Sequence, residues 1–212
     1  MTILRSFFRS THAGTAAEFA LVLPLAIIFI FGIIDVGRLM WTWNKAEKAT
    51  QMGVRAAVVT EVVPEGLIAE RYVNKVVGGV TLTQGDLIPA AALGDIECVS
   101  TGTVASCRCK TAPCPATLTP VDGPAFTFIS TRVNQMLPEA GAANVILNYQ
   151  GSGVGFAGDP VVGSPEIAPL VTVSLRNLTF TPILLQLFGG SITLPNFSAT
   201  LTLEDGAGTV SN

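Results

Sequence analysis

The chain is poor in charge. Of its 212 residues only 13% are Asp, Glu, Lys or Arg, against roughly 25% in an average soluble protein. Twelve basic residues and fifteen acidic ones leave a net charge of -3. Phosphate-neutralising surfaces need clustered Lys and Arg, so this balance excludes nucleic acid as a partner. Scarce charge together with 49% hydrophobic residues also excludes an intrinsically disordered chain. Histidine is nearly absent. The single one, His12, precedes the long apolar run, so the remainder has no imidazole for a Ser-His-Asp or Cys-His pair or for a metal. Acids beyond residue 111 are scattered singly apart from Glu204-Asp205, and nothing in their pattern suggests a two-carboxylate hydrolase. The composition reads as a protein that is not an enzyme and uses no cofactor or metal.

What is present begins with an apolar run. From Phe19 to Ile34 there are sixteen residues without a charge, and Thr15 to Trp43 is helix-compatible throughout. A hydrocarbon core of about 30 Å takes about 20 residues at 1.5 Å rise, so residues 15–43 predict a transmembrane helix. Pro24 lies within it, which lipid-embedded helices tolerate. Trp41 and Trp43, the only tryptophans, follow the run where interfacial aromatics belong. Residues 1–14 hold Arg5 and Arg9 and no acid. The positive-inside rule then predicts a short basic cytoplasmic N-terminus and puts everything from residue 44 outside. An ordinary signal peptide carries its small residues after the apolar run, whereas Ala13-Gly14-Thr15-Ala16-Ala17 precede it. Glu18 and Asp35, at the two ends of the helix, read as interfacial acids. For Glu18 a second reading stands beside this, pairing with a partner subunit inside the membrane.

Beyond the bilayer the fold class reads as α+β: the long helix continues into a domain with a mainly antiparallel sheet. Residues 44–79 predict a helical extension. Ala46, Ala49, Gly53, Ala56 and Thr60 recur every three or four positions, giving a face of small side chains that lets a sheet or a partner helix approach closely. Pro64 and Gly66 end it, and a second short helix is expected over Leu67 to Val77, terminated by Gly78-Gly79. Residues 80–125 read as a loop-rich region holding all four cysteines, Cys98, Cys107, Cys109 and Cys114. In an oxidising compartment an even count reads as two disulfides with three connectivities open. The competing reading is a four-thiolate metal site, but C-x8-C-x-C-x4-C lacks the paired C-x2-C knuckles of common zinc sites. Residues 126–205 read as a helix followed by strands. The helix covers Ala125 to Leu137, and the strands cover Asn144 to Tyr149, Leu170 to Leu175, Ser191 to Leu194 and Ser198 to Leu203. Gly151-Ser152-Gly153-Val154-Gly155 reads as a loop and not a phosphate cradle, since no helix-forming run follows. Pro182 to Phe188 is an apolar patch that packs on the core or meets the membrane or another subunit. Residues 206–212 read as a flexible tail.

Two segments resemble a known family. Gly14-Thr15-Ala16-Ala17-Glu18-Phe19-Ala20-Leu21-Val22-Leu23-Pro24, followed by Gly32-Ile33-Ile34-Asp35-Val36-Gly37-Arg38, is similar to the N-terminus of TadE-like proteins. These are minor, pilin-like components of the tight-adherence (Tad, or Flp) pilus system of bacteria. Val171 to Asp205, with its strand, its Phe180-Thr181-Pro182 segment and its final strand, resembles the C-terminal stretch of the same family. The resemblance implies a bacterial inner-membrane, single-pass subunit with a periplasmic domain, needed for assembling the pilus. Its implied partners are the membrane, other Tad assembly proteins or pilin-like subunits, and a prepilin peptidase. Such a peptidase cuts after a small residue and leaves glutamate as the fifth residue of the mature chain. Here cutting after Gly14 makes Glu18 the fourth residue, and cutting after Ala13 makes it the fifth. Ala13, Gly14, Glu18 and Phe19 are therefore the residues that processing would use.

Two functions from different classes follow. One is an assembly subunit acting by helix packing and periplasmic contacts. The other is a membrane-anchored periplasmic binding or enzymatic domain with a disulfide-tied recognition loop over 80–125.

Overall fold

The computed structural model describes residues 11–102, 104–159, 164–186, 189–204 and 206. The expected basic segment falls mostly outside these residues, as does most of the expected tail. The structure divides into two compact units. One comprises the first 43 residues with Thr179–Ile192, the other Asn44–Leu178 with Thr193–Asn212.

One helix, α1 (Thr11–Ala57), contributes to both. Its 47 residues extend about 70 Å at 1.5 Å per residue. Pro24 lies inside it, in the part whose apolar side chains are exposed, among them Phe19, Leu21, Leu25 and Phe29. Gly14–Ala57 is long and apolar enough to cross a membrane. The short strands β7 (Thr179–Phe180) and β8 (Ile192–Thr193) pair as a two-stranded ribbon, and α4 (Ile183–Gln186) lies between them in sequence.

The second unit is built on a five-stranded antiparallel sheet. Its strands are β3 (Asp95–Ser100), β4 (Ala105–Thr111), β5 (Val145–Gln150), β6 (Leu170–Leu175) and β9 (Phe197–Thr202). The spatial order is β4-β3-β5-β6-β9. Register assigns the two faces. Cys98 pairs with Leu147, Leu147 with Val173, Ile96 with Tyr149 and Tyr149 with Val171, so these fully buried residues share one face. That face packs on the C-terminal part of α1 and on α3 (Gly123–Met136). A Cβ added at Gly53 would lie 2.6 Å from Val133 Cγ2 of α3 and 3.1 Å from Val173 Cγ1 of β6. Glycine is what allows the three elements to meet there. The opposite face carries Glu97, Asn148, Thr172 and Thr200, the polar side expected of an antiparallel sheet covered once.

α3 starts as its sequence dictates. Asp122 is the N-cap, its carboxylate accepting the Ala125 N–H at 2.8 Å, and Pro124 sits in the first turn where a missing N–H costs nothing. Phe126, Ile129 and Val133 form its buried stripe.

The expected extension over 44–79 is helical only as far as Ala57. The chain then turns, and α2 spans just Gly66–Ala69. In place of a helix over Leu67 to Val77, strands β1 (Val76–Val77) and β2 (Val80–Thr81) form a hairpin. Three residues of positive φ decide this. Asn74 has φ 65°, and Gly78 and Gly79 have φ 60° and 84°, which suits a two-residue hairpin turn. The cysteine region is likewise no simple loop, since Cys98 lies in β3 and Cys107 and Cys109 in β4.

Candidate functional site

The most specific constellation lies in the first unit and centres on Asp35. This residue is the first charge after the run Phe19–Ile34, yet it is buried. Its Oδ1 accepts the N–H of Ile183 at 2.8 Å and its Oδ2 that of Leu184 at 3.1 Å. These amides open α4, where helical geometry leaves N–H groups without partners. Arg38, one turn further along α1, places Nη1 3.1 Å from Asp35 Oδ1, and its guanidinium lies over the Phe180 ring at 5.4 Å. An isolated acid at the centre of a bilayer costs about 3 kcal/mol. Here charge-assisted hydrogen bonds surround the carboxylate, so it enters an apolar setting already partnered.

By its position in the sequence Asp35 is expected to be a plain interfacial acid. Its partners are 148 and 149 residues away, and no local pattern brings them together. The only signal was that Gly32–Arg38 and Phe180-Thr181-Pro182 belong to the same family resemblance. The structure places these two segments against each other.

The residues that prepilin-type processing is expected to use lie at the start of α1. Gly14, Glu18 and Phe19 are exposed on the helix, with Gly14 and Glu18 about one turn apart. Ala13 is helical in its backbone, and its side chain falls outside the described residues. A Cβ at Gly14, Gly32 or Gly37 would meet nothing within 4 Å.

The small-residue face lies in the second unit. Ala46 and Ala49 are fully buried and Gly53 is buried, whereas Ala56 is only half-buried. Thr50, Val54 and Ala57 complete the covered face, which is rotated slightly from the expected set. This helix stretch is joined to the domain by an ion pair between Lys45 and Glu139 at 3.6 Å.

Cys98 is bonded to Cys107 across β3 and β4, where the two are register partners, and Cys109 is bonded to Cys114. On the polar face of the same hairpin Glu97, nearly fully buried, pairs with Arg108 and lies 3.8 Å from Arg176 Nη1. Asp95 accepts from Asn148 Nδ2 at 2.7 Å and meets Lys110 Nζ at 2.9 Å. Burial pushes the Asp95 carboxyl up. Lys110, Asn148 and Gln150 outweigh that and hold it below the usual carboxylate range.

Among the described residues no group of three or more His, Cys, Asp or Glu could hold a metal ion. A cleft of about 700 Å³ between α3 and the β3–β4 hairpin is lined by residues such as Ser100, Phe126, Thr127 and Ser130, with no ionisable side chain. A smaller cavity of about 320 Å³ is lined by Glu70, Tyr72 and Lys75 among others. There Glu70 and Lys75 are paired with each other. The Tyr72 phenol is pushed up to about 12 by burial, and the Glu166 carboxylate acts in the same direction.

Among the described residues one helix is long and apolar enough to cross a membrane, and it leads into an antiparallel α+β domain, an arrangement consistent with a membrane-anchored, pilin-like protein. The model of the family described as TadE-like protein matches residues 14–55. The match is confined to α1 and includes Glu18 and the Asp35–Arg38 turn, so over this stretch the chain is similar to TadE-like proteins. No curated protein and no solved structure matches the chain. The TadE-like family is of a structural, non-enzymatic kind, associated with membranes and with Tad pilus partners.

Proposed function

We propose that the chain is a minor pilin-like component required for assembly of a Tad/Flp pilus, working by subunit contacts and not by catalysis. It is held in the bacterial inner membrane by one pass of α1, with the N-terminus cytoplasmic and the disulfide-bonded domain in the periplasm. The carrying observation is the TadE-like match over 14–55, on a helix whose apolar residues from Phe19 to Ile34 are left largely uncovered by their own chain. Two further points support the reading. The open surroundings of Gly14, Gly32 and Gly37 leave room for the close helix approach that small residues permit in membranes. Glu18, exposed near the start of the helix, is available to a neighbouring subunit's amine after prepilin-type cleavage at Ala13 or Gly14. The reading as a recognition domain with a disulfide-tied loop is weakened because Cys98, Cys107 and Cys109 lie in paired strands.

Deleting the gene and counting surface pili by electron microscopy tests the proposal. Loss of pili, restored by the full chain, is the expected result. Normal piliation in the deletion strain would sink it. Mass spectrometry of the mature N-terminus, from membranes and from sheared pili, then decides between cleavage after Ala13, cleavage after Gly14 and none.

A further inference from the structure

The segment that Asp35 holds presents Ile183, Leu184 and Leu185 at its surface, between the exposed polar side chains of Thr181 and Gln186. In α4 no side chain is buried; Ile183 and Leu184 are half-buried and Leu185 is exposed. The position of this patch along α1 is fixed by hydrogen bonds. Asp35 directly follows the charge-free run Phe19–Ile34, whose sixteen residues span about 24 Å at 1.5 Å each, against a hydrocarbon core of about 30 Å. Asp35 therefore falls at the outer edge of the hydrocarbon, and its bonds of 2.8 and 3.1 Å to Ile183 and Leu184 hold the start of α4 at the same depth. Around this point α1 exposes Ile34, Val36 and Met40, so apolar side chains of both helices are exposed at this depth. Arg38, with its side chain about half exposed, is long enough to keep its charge toward the headgroups while it bonds Asp35.

We propose that residues 183–185 form a second membrane contact, an apolar flap that lies in the outer headgroup–acyl boundary and is clamped to the anchor helix by Asp35. Its occupant is the bilayer itself, because its depth and the apolar side chains that both helices expose there place it in the boundary. The inference rests on α1 spanning the membrane, and the test separates the two.

The full-length chain, with Trp41 and Trp43 replaced by Phe, is reconstituted into vesicles of phosphatidylethanolamine, phosphatidylglycerol and brominated phosphatidylcholine. A single tryptophan is introduced as Leu185→Trp or, in a second protein, Val36→Trp. The flap predicts bromine quenching at both positions, stronger with bromine near the glycerol end of the acyl chain than near its methyl end. Adding Asp35→Ala lowers quenching at 185 and leaves it unchanged at 36. Asp35→Asn, which keeps one acceptor oxygen, gives an intermediate loss. Quenching at 36 with none at 185 overturns the flap and leaves the anchor standing, also if 185 becomes shielded only when other pilus subunits are added. Undiminished quenching at 185 in Asp35→Ala overturns the clamp. Absence of quenching at 36 removes the spanning helix, and the flap with it.

Discussion

Gly32 and Gly53 occupy the same helix and meet opposite surroundings. A side chain at Gly32 would touch nothing within 4 Å, whereas at Gly53 it would run into Val133 and Val173. The residues around them follow suit. Near Gly32 the large side chains Ile28, Phe29 and Ile33 are exposed, and near Gly53 the small ones Ala46 and Ala49 are fully buried. In a water-soluble helix the large apolar residues go inside first. The reversal is sensible where the first stretch is solvated by lipid or by partner helices and the second stretch is packed by backbone proximity. The two stretches thus differ in what covers them, although they belong to one continuous helix.

The sharpest way to break this contrast is to place the same side chain at both glycines. Gly53→Leu overpacks the junction of α1, α3 and β6, where valines have few rotamers to yield. It should destabilise the domain by about 3 kcal/mol, read from the urea midpoint of the full chain in detergent. Removing the Cys98–Cys107 bond comes next. Its loop is short, at a sequence separation of nine, so Cys98→Ala with Cys107→Ala should cost about 2–3 kcal/mol in the same measurement. The double substitution Arg108→Ala and Arg176→Ala leaves Glu97 buried without these cations. Because both arginines are partly in solvent, a loss of about 2 kcal/mol is expected, and Glu97→Gln in that background should recover part of it. Asp95 supplies the pH dependence. Its folded-state pKa is depressed, so its contribution is complete above the unfolded value of about 3.9 and is lost as pH falls through the folded value. In Asp95→Asn the urea midpoint should therefore change less between about pH 6 and pH 3 than in the parent. Smallest of all in stability is Gly32→Leu, expected to leave the urea midpoint within about 0.5 kcal/mol of the parent while lowering the number of pili per cell.

The strongly patterned elements were legible in the sequence. Leu170–Leu175 was expected and found with the same bounds, since its alternation reports one covered face. The helix at Ala125 to Leu137 begins two residues earlier, at Gly123, directly after the Asp122 cap. The cysteine hairpin was not legible. β4 is an edge strand with Arg108, Cys109, Lys110 and Thr111 all exposed, and β3 buries Glu97 beside Ile96 and Cys98, so neither strand alternates in the expected way. The Gly78-Gly79 pair was read as a helix stop, although flanking valines and two adjacent glycines also encode a hairpin. The Asp35 clamp lay beyond any one-dimensional reading, because its acceptor and donors meet only when the chain returns to α1 near residue 180.

The central claim is that the exposed stretch of α1 meets other pilus subunits within the membrane. Replacing Phe29, one of its exposed residues, by the photocrosslinker p-benzoylphenylalanine in the native host tests it directly. Irradiation of piliating cells should give adducts that contain another pilin-like or Tad assembly protein. Adducts with lipid alone, in cells that still make normal pili, would contradict the account.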